Sequence, residues 1–162
     1  MFGNGQTKWP VQSVRSKRAN TTVNADIYMA HGINEYSGRT ATAASVHLRN
    51  GFRVIGIDMP SFGRSSGLHG YLPTLRWNEG ALNAVMLHVH MWDEYEQLEN
   101  LANRKRFAQG ASMGGFTCAY HAALHPPPST SVSMSLNGIC LTAPMLQISP
   151  ITVSYTHLRA HE

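Results

Sequence analysis

Acidic residues are scarce in this 162-residue chain, nine against thirteen lysines and arginines. Their placement is more telling than their number. From Met113 to Thr152 there is no aspartate and no glutamate, and the one later acid is Glu162. Cysteine is scarce as well. Cys118 and Cys140 form neither a metal-ligand spacing nor a disulfide framework. A reduced intracellular setting is therefore expected, with both cysteines read as small core residues. No run reaches the roughly 18 apolar residues of a membrane span. The first residues, Met1 to Trp9, lack the apolar core of a secretory signal. These absences point to a cytoplasmic protein, with peripheral membrane contact left open.

What is present is enough for a core. Hydrophobic residues make up 43% of the chain, which excludes a largely disordered one. The net charge of +4 is diffuse. Its two tight clusters, Arg15-Ser16-Lys17-Arg18 and Arg104-Lys105-Arg106, have no interleaved aromatics, which argues against nucleic acid as a partner. Both clusters read as solvated loops before strands.

The pattern along the chain is strand, loop, helix, repeated. Strands are expected at Ala25 to Ala30, Phe52 to Asp58, Phe107 to Gly110 and Gly138 to Ala143. Helices are expected from Gly38 to Asn50, with Ala43, Ala44, Val46 and Leu48 as apolar positions, and from Asn78 to Leu101. In the second, Leu82, Val85, Met86 and Val89 fall on one face. A third runs from Met113 to His125, ended by Pro126-Pro127-Pro128. Ser61 to Leu72 is a glycine- and serine-rich loop, and Ser129 to Ser135 a polar one. His88 and His90 stand two apart on a helix, so they point in different directions and read as surface or half-buried histidines. The alternation predicts an α/β fold with a mostly parallel sheet flanked by helices.

The run Gly110-Ala111-Ser112-Met113-Gly114-Gly115 has the form G-x-S-x-G, between a strand and a helix. That turn lifts a serine hydroxyl above the sheet as a nucleophile. Gly110 and Gly114 are needed because side chains there would collide with neighbouring strands or the turn. The helix after Ser112 aims free N–H groups and the positive end of its dipole at the serine. The Met113 N–H is thus a candidate oxyanion donor. A second donor comes from the loop after an earlier strand, here His31-Gly32-Ile33, which makes the Ile33 N–H the partner.

Four blocks together resemble the monoacylglycerol lipase-like, or lysophospholipase-like, serine hydrolases of the α/β-hydrolase superfamily. His31 to Arg39 is similar to their HGxxExSGR segment, and Gly56 to Gly67 to their GIDxxGHGRSxG segment. Gly110 to Gly115 matches GxSMGG, and Ala143-Pro144-Met145 matches the APM after the next strand. Order and spacing agree from about Ala25 to Pro150. Three features depart from the pattern: Ser61-Phe62-Gly63 stands for Gly-His-Gly, Ala111 replaces a polar residue, and Pro126 to Ser135 looks inserted. The resemblance implies an acyl-ester or lipid substrate, a Ser-Asp-His triad, an acyl-enzyme, and neither cofactor nor metal.

In this fold the triad runs Ser, then acid, then His along the chain. The acid-free stretch after Met113 therefore leaves Ser112 without its partners. His121 and His125 lie within or at the end of the serine's own helix and read as core-edge and capping residues. Val153 to Glu162 matches one reading frame of a sequencing-library adapter at all ten positions, and is read as a non-native tail. The expected organisation is a partial α/β-hydrolase domain over 1–152, cut after the strand that follows the nucleophile helix, and a tail over 153–162. By itself this chain is expected to be inactive and to leave an uncovered sheet edge. Two alternatives stand beside the ester hydrolase: a peptidase-type relative of the same fold, and a non-catalytic α/β-hydrolase-like binding protein.

Overall fold

A computed structural model describes residues 11–14, 23, 25–96, 104–127 and 135–146. The expected tail at 153–162, the basic cluster at 15–18 and the loop at 129–134 lie outside the described residues.

Five strands form one sheet: β1 (Val11–Val14), β2 (Ala25–Ala30), β3 (Arg53–Ile57), β4 (Lys105–Ala111) and β5 (Gly138–Thr142), in the order β1-β3-β2-β4-β5. The strands β3, β2, β4 and β5 are parallel, and β1 joins antiparallel at the edge beside β3. Three helices connect them: α1 (Ala41–Arg49), α2 (Arg76–Tyr95) and α3 (Met113–Leu124). All four expected strands are present. β1 was not expected, because its pairing with β3 is a tertiary event that four residues do not announce.

β2 is buried along its whole length, as the middle strand of a parallel sheet must be. Its side chains alternate between two cores. Tyr28 and Ala30 pack with Ile55, Ile57, Leu82, Val85, Met86, Val89, Met113 and Cys118. Ile27 and Met29 pack with Val54 on the other face, against Ala43, Ala44 and Leu48 of α1. The apolar face assigned to α2 is thus its buried face. In α1 the expected apolar set is corrected at Val46, which is half exposed. Ala43, Ala44 and Leu48 share one side of the helix, and Val46 falls well away from its centre at 100° per residue. The first turn expected of this helix, Ser37–Thr40, is 3-10 in form. Cys118 is buried as expected, whereas Cys140 is exposed on β5, at the sheet edge among the described residues.

The second basic cluster is not a solvated loop. Arg104 reaches Asp93 at 3.4 Å, and Arg106 on β4 is buried. Arg104 completes a buried network under β2. Arg53 donates to both oxygens of Asp26, each at 2.7 Å, and to both oxygens of Asp93. Two arginines face two aspartates, so the charges cancel. Burial alone would lower the proton affinity of Arg53, but the bonds to Asp93 and Asp26 prevail and hold it above the usual arginine range. The planar guanidinium fork is what allows one side chain to bridge two carboxylates.

Removing one member of such a network leaves buried charge without its partner, at a cost of about 3–5 kcal/mol. Arg53→Ala should lower the stability of the protein by that amount in urea unfolding. A loss below about 1 kcal/mol would show that water reaches Asp26 and Asp93 freely.

Candidate active site

Ser112 is the single residue between β4 and α3, with φ 51° and ψ −117°. An L-residue reaches that conformation only at a cost on the order of 1–3 kcal/mol. The surroundings hold it there by both backbone groups. Its N–H donates to the Thr142 carbonyl at 3.0 Å, and its carbonyl accepts from Met145 at 2.9 Å and Phe116 at 3.1 Å. The loop after β5 therefore fastens the turn after β4.

The flanking glycines are there for space. A Cβ on Gly110 would overlap the Gly114 carbonyl and stand 2.7 Å from the Gly115 nitrogen. A Cβ on Gly114 would overlap the Ala30 carbonyl and stand 2.7 Å from the His31 oxygen. One on Gly115 would come within 2.9 Å of Pro144. Without side chains, the first turn of α3 lies directly against the carboxyl end of β2.

That close approach brings the loop after β2 to the serine. A Cβ placed on Gly32 would be 3.6 Å from the Ser112 Cβ. The Gly32 N–H donates to Glu35 Oε2 at 2.8 Å, which ties the loop across three residues. Ile33 itself is half exposed, and Asn34 after it takes φ 57°. Asp58, at the end of β3, closes the other side of this loop. Its carboxylate accepts the Ser37 N–H at 2.7 Å and the Arg64 N–H at 2.9 Å. Burial would raise the Asp58 pKa, but these backbone donors outweigh it and hold the carboxyl below its usual range.

His31 is buried beneath the loop with both ring nitrogens engaged. Nε2 accepts the Met59 N–H at 3.0 Å, so Nδ1 carries the proton and donates to the Gly32 carbonyl at 2.7 Å. Phe62 meets the ring edge-on at 5.7 Å. This imidazole joins the loops after β2 and β3 and has no nitrogen left to serve as a base.

The sequence-derived set is thus gathered at one point: Ser112, Met113, Gly110, Gly114 and Gly115 form the turn, and Gly32 passes beside it. Ile33 follows on the same loop, and His31 supports it from below. Among the described residues no histidine or carboxylate is hydrogen-bonded to the Ser112 side chain. His121 and His125 lie further along α3, where both meet Glu79 of α2. Those three residues are the one group among the described residues that could hold a metal ion. His88 is exposed, and His90 pairs with Glu94 at 3.1 Å. Sequence reasoning missed the positioning carboxylates Glu35 and Asp58. Both sit inside the quoted blocks, but only the fold shows which N–H groups they take.

A sequence family described as "Serine aminopeptidase, S33" matches residues 21–160. No curated protein matches the chain in sequence. Solved structures do match in fold. A monoacylglycerol lipase of Paleococcus ferrophilus superposes with a TM-score of 0.68 at 21% identity, covering 95% of this chain and 50% of its own. A soluble variant of the Saccharomyces cerevisiae monoglyceride lipase gives 0.71 at 15% identity, covering 99% and 49%. A thermophilic esterase of Thermogutta terrifontis gives 0.66 at 19%, covering 94% and 47%. The chain spans about half the length of these structures.

His31 makes the loop junction sensitive to acid. Burial lowers its pKa, which its bond to Gly32 and the nearby Asp58 and Glu35 offset only in part. The unfolded chain therefore takes up this proton first. His31 contributes full stability above its unfolded pKa of about 6.5 and loses it as the pH falls below that. In urea unfolding, the gap between the parent and His31→Gln should narrow between about pH 7.5 and pH 5. A gap independent of pH would mean that His31 binds its proton equally well in the folded and unfolded chain.

Proposed function

Because the chain belongs to the serine aminopeptidase S33 family of α/β-hydrolases, we propose that Ser112 is the nucleophile of a serine ester hydrolase acting on monoacylglycerols or related lysolipids. The observation that carries this reading is the backbone of Ser112. A serine held at φ 51° between a strand and a helix N-terminus has no evident structural use. Its use is to present a hydroxyl where negative charge is stabilised.

The Ser112 Oγ attacks the ester carbonyl and forms a tetrahedral intermediate. Its oxyanion takes hydrogen bonds from the Met113 and Ile33 N–H groups, and the α3 dipole favours the same charge. Expulsion of the alcohol leaves an acyl-enzyme on Ser112, which water then hydrolyses. A histidine moves the proton and an acid orients that histidine. We place both in the remainder of a longer protein; the solved structures that this chain matches are about twice its length. Domain boundaries at 1–152 and 153–162 belong to the same proposal. His31 and Glu35 are positioning residues here: they shape the oxyanion loop and touch no substrate.

One observation favours a second reading. The matching family is named for an aminopeptidase, and the same turn would serve an amide carbonyl as well as an ester. A non-catalytic binding protein of this fold is disfavoured by the retained strain at Ser112.

The 162-residue chain alone should turn over neither monoacylglycerol nor an aminoacyl anilide. Steady hydrolysis lost in Ser112→Ala would overturn that expectation. In the complete protein, monoacylglycerol hydrolysis should fall by about 10⁴-fold or more in Ser112→Ala. A protein that cleaves aminoacyl anilides and leaves monoacylglycerol untouched would establish the peptidase reading. An unchanged rate would remove Ser112 from the mechanism.

A further inference from the structure

Away from Ser112, α2 and α3 meet where one begins and the other ends. Glu79 is in the first turn of α2, and His121 and His125 are at the last turn and C-cap of α3. One carboxylate oxygen, Oε1, lies 3.0 Å from His121 Nδ1 and 3.1 Å from His125 Nε2. The two imidazole rings are 4.5 Å apart, and the three ligand atoms all lie within 4.8 Å of one another. The cluster is shielded: side-chain exposure is 13% for Glu79, 0% for His121 and 22% for His125.

We infer that Glu79, His121 and His125 form a binding site for a divalent transition-metal cation of the zinc class. The donor set decides the class. Two imidazole nitrogens and one carboxylate oxygen suit zinc, cobalt or nickel, whereas calcium and magnesium require oxygen ligands. The spacing decides the fit. Zinc bonds of about 2.0–2.1 Å in tetrahedral array put neighbouring ligand atoms about 3.3 Å apart. Two of the three edges are already close to that, and histidines four apart on a helix share one face. Metal binding needs a lone pair on His121 Nδ1 and on His125 Nε2. Each neutral imidazole therefore takes the tautomer with its proton on the other ring nitrogen, and Glu79 turns from hydrogen-bond acceptor to metal ligand. His125 is the partly open side, and through it the ion enters and takes water as its fourth ligand.

Position separates this site from the proposed chemistry. His121 is nine residues beyond Ser112, about 13 Å along the helix axis. The ion clips α2 to α3 at the end remote from the serine. It also sits at the negative end of the α3 dipole, where a cation is favoured. The inference stands whether or not Ser112 is a nucleophile.

The test is cobalt and zinc titration of the 162-residue chain at neutral pH. One equivalent of Co²⁺ should produce visible d–d bands, displaced by Zn²⁺, and Zn²⁺ should raise the melting temperature. His125→Ala, at a partly exposed position, and Glu79→Gln should each weaken binding by roughly tenfold or more. Circular dichroism of both variants confirms that they fold. His157→Ala combined with His161→Ala is the control, since these are the chain's other histidine pair four apart, and binding should be unchanged. Binding that survives His125→Ala and Glu79→Gln, or is lost in the control, would overturn the site. So would the absence of any metal-induced band or thermal shift, which would leave Glu79 as a hydrogen-bonded clasp alone.

Discussion

A contact with no room for a side chain governs this molecule. Gly114, in the first turn of α3, rests on the carbonyls of Ala30 and His31 at the end of β2. Gly110 rests on Gly114 in the same way. Together they press a helix N-terminus, a strand end and a loop into one volume. The strain at Ser112 follows from that compression, because the chain must reverse within one residue to enter α3 beside β2. So does the proximity of Gly32 to Ser112. Any Cβ at these contacts would push α3 outward and separate Ser112 from the loop after β2.

The polar groups around this contact divide by their place along β2. At its amino end, Asp26 is locked into a neutral network with Arg53, Asp93 and Arg104. Among the described residues every charge there is paired. At its carboxyl end, His31, Glu35 and Asp58 satisfy loop backbone and are used up in doing so. Among the described residues at this end, the Ser112 side chain has no histidine or carboxylate bonded to it. Sites in open α/β sheets form outside the carboxyl ends of the strands. Here the reason is visible residue by residue: the amino end binds the sheet to α2, and the carboxyl end holds loops in shape.

Much of this was legible in the sequence, for a physical reason. Buried parallel strands are short apolar runs between turn signals, and β2 and β3 read that way. β4 reads more weakly because of Gln109, and β5 is an apolar run that is largely exposed. The α2 face at Leu82, Val85, Met86 and Val89 is a strict helical repeat, and all four are buried. What escaped depends on pairing across long separations. β1 exists through its partner β3. Arg104 and Arg106 looked solvated because charge normally is, and only Asp93 on α2 shows where Arg104 goes. Cys140 looked like a core residue from its apolar neighbours, but β5 has a partner on one side alone among the described residues. Glu79 gave no signal at all. It stands 42 residues before His121, and only the packing of α2 on α3 unites them.

The turn at Ser112 and a catalytic base of the kind proposed for it make different demands on a chain. A nucleophile elbow concentrates strain, dipole and oxyanion donors in a few neighbouring residues, so a short sequence carries it whole. A triad base is different. It reaches the serine from another loop, and its only requirement is to arrive at the right point in space. The first kind of feature survives in any piece of the chain that includes β2, β4 and α3. The second depends on every later strand being in register. Family membership and fold are therefore readable from this chain. His31 illustrates the distinction: it is close to the serine in the fold, yet both its nitrogens are bound, so proximity alone does not make it a base.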